Sequence, residues 1–147
     1  MSSSGPNPKD VVILGALDTK GREFAFIKQL IEKEGLGTLV IDFGTMGEPD
    51  FEPEVKRAEV AAAGGGDLPY LASGEHKDEA METMAKGLAV VVRRLYEKGM
   101  IGGIIGMGGT GGTSIATTAM RVLPVGVPKV MVSTVAGGDV SAYAGTK

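Results

Sequence analysis

The stretch Ile101-Gly-Gly-Ile-Ile-Gly-Met-Gly-Gly-Thr-Gly-Gly-Thr-Ser114 decides which fold and function the sequence predicts. Three isoleucines at its beginning are β-branched and apolar, which indicates a short buried strand. Five glycines follow within positions 106–112, and Thr113 and Ser114 then suit the start of a helix. A glycine loop between a strand and a helix is suited to bind phosphate, because free N–H groups and the helix dipole favour an anion. The stretch therefore predicts a phosphate-binding loop. The alternative is a turn that only packs the helix on the sheet.

Two known loop patterns fit this stretch only in part. The residues from Gly106 to Gly111 match the dinucleotide pattern G-x-G-x-x-G, which also needs an acidic residue about 20 positions later to hold a ribose. No Asp or Glu lies between Gly106 and Asp139, so an NAD site is not predicted. The P-loop pattern fails because Gly112 stands where its phosphate-binding lysine belongs. The loop is predicted to bind phosphate without belonging to either class.

The composition is that of an ordinary globular domain with an acidic balance. The 147 residues are 43% hydrophobic and 22% charged, and the net charge is −3. Because there is no basic stripe, nucleic acid is not predicted as a partner. The chain has no cysteine and one histidine, which excludes thiol catalysis and argues against a metal held by histidines. No signal peptide and no apolar run of membrane-spanning length occurs, so we predict a cytoplasmic protein without membrane contact.

Strand and helix patterns alternate along the chain. Buried strands are predicted at four places (11–14, 38–41, 101–105 and 129–132) and helices at four (22–34, 55–63, 77–98 and 115–121). Residues 15–21 are predicted as a loop, 68–74 as an extended segment, and the methionine-rich face of the long helix as core. The alternation indicates an α/β domain in three layers, with a parallel sheet of about four to five strands. This domain spans residues 10–147 and follows a flexible segment, 1–9.

Polar residues follow all four predicted strands. They lie at 18–20, at 42–45, in the glycine loop, and at Ser133 and Thr134. Ligands of parallel sheets bind beyond the carboxyl ends of the strands, so these four segments are expected to meet at one site.

Three charged residues at these strand ends have two interpretations each. Lys20 is either a phosphate ligand or a solvated lysine at a helix start. Asp42 is either a ligand of a ribose hydroxyl or the cap of a turn. Asp18 could bind Mg²⁺ through water or cap the following helix, and of the two we predict the cap.

The last predicted strand has no helix after it to cover the sheet. We therefore expect the chain to be the first part of a longer protein. Apolar surface left without such a layer tends to be buried by another copy, so a homodimer is also expected.

Four segments, in this order, resemble the amino-terminal ATP-binding domain of the tomato mosaic virus resistance protein family, which has many bacterial and fungal members. They are GALDTKG at 15–21, DFGT at 42–45, GMGGTGGTS at 106–114 and LPVGVPKVMVST at 123–134. The resemblance implies a Rossmann-like domain that binds ATP with Mg²⁺. It also implies a second domain, similar to a TIM barrel, in the longer members of the family.

The resemblance and the strand ends together give the predicted nucleotide site. Its members are Asp18, Thr19, Lys20, Asp42, Gly44, Thr45, Gly108, Gly109, Thr110, Gly111, Gly112, Thr113, Ser114 and Ser133. No catalytic residue is predicted and the metal ligands stay open. The first function expected is a nucleotide-binding module. The alternative is part of an enzyme for a phosphorylated or carboxylated small molecule, with its catalytic groups on a C-terminal domain. Whether any reaction is catalysed stays open.

Overall fold

The computed structural model describes residues 9–143, in which strands and helices alternate. The strands are β1 (Asp10–Gly15), β2 (Thr38–Asp42), β3 (Ile101–Gly108) and β4 (Lys129–Ser133). The helices are α1 (Leu17–Lys33), α2 (Arg57–Ala63), α3 (Leu68–Leu71), α4 (Lys77–Glu97) and α5 (Thr110–Met120). The predicted flexible segment 1–9 lies, apart from Lys9, outside the described residues.

The four strands form one parallel sheet in the order β2-β1-β3-β4. The glycine-rich strand β3 lies inside the sheet, as its isoleucines predicted. One face packs against α2, α4 and α5 through a core that includes Val12 and Met84. The other face packs against α1 through Ile13 and Phe24. The predicted three-layer, Rossmann-like α/β fold is confirmed, with four strands.

Helix α1 begins five residues earlier than predicted, so Asp18, Thr19 and Lys20 lie at the start of a helix and not in a loop. Lys20 still departs from helical geometry, with φ −130° and ψ 27°. The prediction was wrong because it took Gly21 as a loop signal. Gly21 is instead a packing position, since an added Cβ would lie 2.5 Å from the side chain of Asp50.

The predicted glycine loop is almost entirely absent. Strand β3 continues to Gly108 and α5 starts at Thr110, five residues before the predicted start, so Gly109 alone connects them. The glycines serve close packing of the helix on its own strand. A Cβ at Gly108 would lie 2.9 Å from Cα of Gly112, a separation that real Cβ atoms hardly ever show.

Two predictions between β2 and α4 were also wrong. The segment predicted as extended contains the short helix α3, which Asp67 caps by accepting the N–H of Tyr70 at 3.3 Å. Helix α2 begins two residues later than predicted, because Val55 pairs with β2 through an isolated bridge to Ile41.

Helices α2 and α4 meet backbone to backbone at a pair of glycines. A Cβ on Gly64 would lie 3.0 Å from the amide nitrogen of Gly87, and a Cβ on Gly87 would overlap the carbonyl oxygen of Val60. The face of α4 that packs there is core, as predicted, at Met84. Met81 departs from that prediction, because 38% of it is exposed.

Candidate functional site

A cavity of ≈ 300 Å³ lies beyond the carboxyl ends of β1 and β3. The helix that follows β1 covers one face of the sheet and the helix that follows β3 covers the other, and ligands bind at such a point in doubly wound folds. The walls come from the start of α1, the segment after β2, the start of α4 and the start of α5. We call this cavity the β1–β3 cleft.

Nine of the predicted site residues line the β1–β3 cleft. They are Asp18, Thr19, Lys20, Gly44, Thr45, Gly108, Gly109, Gly111 and Gly112. The other five lie elsewhere. Asp42 is buried beside the cleft, and Thr110 and Ser114 are exposed on α5 outside its lining. Thr113 and Ser133 line a different cavity, of ≈ 190 Å³.

Helix α5 presents its N-terminus to the cleft. The N–H groups of the first turn of a helix have no acceptor within the helix, and the helix dipole adds positive potential there. The N-cap residue is Gly109, which has no side chain, and no cap by a side chain is found at this end in the described part of the chain. Gly112 leaves room beside the cleft. Outside its own helix turn, the nearest atom of the described residues to an added Cβ is the carbonyl oxygen of Met107, at 3.8 Å. An anion can therefore approach the backbone of this turn closely.

Two lysines line the cleft from different helices. Lys20 comes from the start of α1 and Lys77 from the first residue of α4. Neither ammonium group has a hydrogen-bond or ion-pair partner within residues 9–143. Lys77 was not predicted as a site residue, because its contact with the cleft depends on how α4 packs in three dimensions. No local signal distinguishes it from other helical lysines.

Asp18 does not cap α1, and this prediction was wrong. Its Oδ2 atom accepts the N–H groups of Met46 and Gly47, at 2.7 and 2.9 Å, and so fixes the segment after β2 against α1. Its Oδ1 atom is buried and has no hydrogen-bond partner among residues 9–143. A Cβ at Gly44 would lie 2.5 Å from that oxygen, so a side chain at Gly44 would displace Asp18.

Asp42 supplies the cap that α1 lacks. Its Oδ1 atom accepts the N–H of Leu17 at 3.1 Å and that of Gly44 at 2.9 Å. Burial raises the pKa of the Asp42 carboxyl, and the negative charge of Asp18 adds to the rise, while these two hydrogen bonds and Arg57 lower that pKa. With only 1% of the residue exposed, its carboxylate is not presented to the β1–β3 cleft.

Thr113 and Ser133 join α5 to β4. Their hydroxyl oxygens are 2.5 Å apart, and Ser133 Oγ also accepts the N–H of Val135 at 3.2 Å. Both side chains are therefore engaged in holding the last strand against the helix that starts at the cleft.

Few side chains of the described residues could bind Mg²⁺ at the β1–β3 cleft. Within residues 9–143, no three His, Cys, Asp or Glu side chains come together so that they could hold a metal ion. Mg²⁺ is commonly bound by one or two carboxylates together with substrate phosphates. The unpartnered Oδ1 of Asp18 fits that mode, so the ion would have to arrive with its phosphates.

Within residues 9–143, no helix has both the length and the apolar character to cross a membrane.

The chain is similar to the N-terminal part of several longer bacterial proteins. The model of "Uncharacterised protein family (UPF0261) N-terminal domain" matches residues 9–147. A UPF0261 protein of Clostridium tetani is 54% identical over 139 residues, which are 95% of this chain and 34% of that relative. A UPF0261 protein of Rhizobium meliloti is 38% identical over 135 residues, which are 92% of this chain and 33% of that relative.

A plant protein is also similar. The ToMV susceptible protein tm-1(GCR26) of Solanum lycopersicum is 29% identical over 163 residues, covering 99% of this chain and 21% of that protein. The chain thus spans about a third of the length of the two bacterial relatives and about a fifth of the plant protein.

Proposed function

This chain belongs to the UPF0261 family through its N-terminal domain, and on that premise we propose that the β1–β3 cleft binds a nucleotide, ATP with Mg²⁺ in the first instance. The phosphates lie against the first turn of α5. Lys20 and Lys77 neutralise them from opposite helices.

One observation carries this proposal. The uncapped N-terminus of α5 and two unpartnered ammonium groups converge on a single cavity at the carboxyl edge of the sheet. Isolated helix ends and isolated surface lysines are common, but here three positive groups from three elements face one cavity. A ligand with several negative charges would complement them, and a triphosphate carries such charges within a short length.

Mg²⁺ has a limited role in this proposal. When bound, the ion neutralises part of the charge of the phosphates. Asp18 would hold it through Oδ1, while Oδ2 keeps its hydrogen bonds to Met46 and Gly47.

The proposed partner is a small molecule and not a nucleic acid, because the net charge of −3 opposes binding to a polyanion. We propose the role of a binding module that acts in the cytoplasm.

A second copy of the chain is the proposed protein partner. Val130 and Val132 on β4 are 51% and 50% exposed. In the sheet register they lie beside Ile105 and Met107, which belong to the face that α1 covers only in part. Parallel sheets normally bury both faces, so this apolar surface would be covered by the same surface of another copy.

Thermal unfolding of the 147-residue chain with ATP and Mg²⁺ tests the nucleotide proposal. A ligand that binds only the folded state stabilises it by about 2.7 kcal/mol at 100 times its Kd, which raises the Tm by several degrees. NAD is the comparison ligand, because the acidic ribose ligand of a dinucleotide fold is missing. A larger shift with NAD than with ATP, or no shift with any phosphate ligand, would reject the proposal.

A further inference from the structure

The β1–β3 cleft is more apolar than phosphate binding requires. Three methionines line it, Met46, Met81 and Met107, together with Phe43 and Leu71. Met46 is 64% exposed and Met81 38% exposed. An inorganic anion or a sugar phosphate would leave these side chains in water. An aromatic ring would cover them and make favourable contacts with their sulfur atoms.

The same walls offer few groups that could read the edge of a base. No Asn, Gln, Ser, Arg or His side chain is found among the described residues that line the cleft. The hydroxyl of Thr19 donates to the carbonyl oxygen of Ala16 at 3.3 Å. Thr45 contributes one further hydroxyl, and a hydroxyl can either donate or accept, so it does not select one base.

The backbone donors of the segment after β2 are also engaged. The N–H of Gly44 is bonded to Asp42, and the N–H groups of Met46 and Gly47 are bonded to Asp18. In many nucleotide sites such amides would bind the base. Here two carboxylates occupy them, so little directional hydrogen bonding remains on this side of the cleft.

We propose that the cleft holds the base of the nucleotide by contact with Met46, Met81 and Met107 and distinguishes poorly between different bases. This inference rests on the proposed function, since the phosphates must bind at α5 for the base to reach the methionines. Sites that bond a polar group of the ligand reject analogues strongly, whereas apolar pockets reject them weakly. ATP and GTP should therefore bind with similar Kd values, and both more tightly than tripolyphosphate.

The first experiment is titration calorimetry of the unmodified chain with ATP, GTP, tripolyphosphate and ribose 5-phosphate, each with Mg²⁺. The expected result is that the Kd values of ATP and GTP agree within about fivefold. Tripolyphosphate should bind about tenfold more weakly, since it lacks the ring that contacts the sulfur atoms. This panel needs no variant and therefore does not depend on whether a substitution folds.

The second experiment compares Met81→Ala with Met100→Ala. The two methionines are 38% and 39% exposed, but only Met81 lines the cleft, so the pair is matched in residue type and exposure. Met81→Ala should weaken ATP and GTP by about tenfold and should weaken tripolyphosphate much less. Met100→Ala should change none of them. Met81→Leu keeps the apolar volume and should retain most of the affinity, which shows that the fold tolerates change at this position.

The outcomes separate this inference from the function on which it rests. If tripolyphosphate binds as tightly as ATP, or if Met81→Ala weakens all ligands equally, the base is not held by the methionines, although the phosphate site stands. If ATP binds 100-fold more tightly than GTP, the proposal that the cleft distinguishes poorly between bases is wrong. If none of the four ligands binds, the proposed function fails and this inference fails with it.

Discussion

Asp42, the last residue of β2, caps α1 from the neighbouring strand, because its Oδ1 atom accepts the N–H of Leu17 at 3.1 Å. The residue that precedes α1 is Ala16, which cannot cap a helix with its own side chain. The cap of α1 is therefore a tertiary interaction. The same Oδ1 atom of Asp42 also accepts the N–H of Gly44, at 2.9 Å.

We expect Asp42→Ala to destabilise the fold by about 1–3 kcal/mol, because two N–H groups lose a buried acceptor. Asp42→Asn should retain more stability, since its amide oxygen can still accept both bonds. Urea unfolding followed by circular dichroism measures the difference. If Asp42→Ala is as stable as the unmodified chain, the carboxylate does not cap α1.

The raised pKa of Asp42 predicts a pH dependence in acid. Burial is the main cause of the rise of this pKa above the ordinary value of an aspartate, so the folded state holds the proton of the carboxyl more tightly than the unfolded state. The contribution of the protonated Asp42 carboxyl to the free energy of unfolding is complete below the pKa that the group has in the unfolded chain. This contribution is lost as the pH rises through the pKa that the group has in the folded chain. Asp42→Asn has no such proton to lose. The difference in unfolding free energy between the two proteins should therefore change with pH only across that interval, and a constant difference would contradict the assignment.

Gly112→Ala should raise stability and lower affinity for ATP. Gly112 lies in the first turn of α5 without a positive φ, and alanine favours a helix over glycine by up to about 1 kcal/mol. Outside its own helix turn, the new methyl group meets no atom of residues 9–143 closer than 3.8 Å, but it stands where the phosphates are proposed to lie. We expect at least a tenfold loss of affinity by calorimetry.

Ser114→Ala is the control for Gly112→Ala, because Ser114 is exposed on the same helix and does not line the cleft. Its affinity for ATP should not change. Gly111→Val tests the same turn with a larger side chain, which would press on Met81, whose Cε already lies 3.3 Å from a Cβ built at Gly111. If both Gly112→Ala and Gly111→Val bind ATP normally, the phosphates do not bind at the first turn of α5.

Lys20→Ala and Lys77→Ala should each weaken ATP by roughly 10- to 100-fold, since a charge-assisted hydrogen bond contributes about 1.5–3 kcal/mol. Lys86→Ala is the matched control, because Lys86 lies further along α4, outside the cleft. Calorimetry at two salt concentrations gives the measurement. Affinities that fall equally for all three variants would indicate a general effect of net charge and not contacts in the cleft.

Val132→Lys should separate the proposed dimer. A lysine at this half-exposed position on β4 places a charge, and in a symmetric dimer two charges, in an apolar interface. Light scattering should report a dimer for the unmodified chain and a monomer for the variant. Val125→Lys changes an 81% exposed residue in the turn before β4 and should leave the dimer intact. A monomer at high concentration before any substitution would reject the interface.

Periodicity and buried runs were enough to predict the sheet, its parallel strands and the long helix α4. They failed where glycine occurs, because glycine has two uses that the sequence does not distinguish. Gly21 and Gly108 permit close packing inside regular elements, whereas the prediction took both as loop residues. The helix α3 was missed because its four residues are too short for periodicity to be recognised.

The candidate site could be predicted only at the strand ends. The order of strands and helices predicts which residues follow the carboxyl ends of the parallel strands. Lys20, Thr45 and Gly109 were therefore predicted at this edge, and they line the cleft. The roles of Asp18 and Asp42 could not be predicted, since both carboxylates bind N–H groups that are distant in sequence. The contribution of α4, through Lys77 and Met81, depends on where that helix begins relative to the cleft.

The contact between Gly64 and Gly87 also limits how the molecule can move. Two helices whose backbones touch cannot slide past each other without steric overlap, so they transmit a displacement and do not absorb it. Helix α4 carries Lys77 at its first residue. A displacement of α4 that brings Lys77 towards a bound ligand would therefore carry α2 with it.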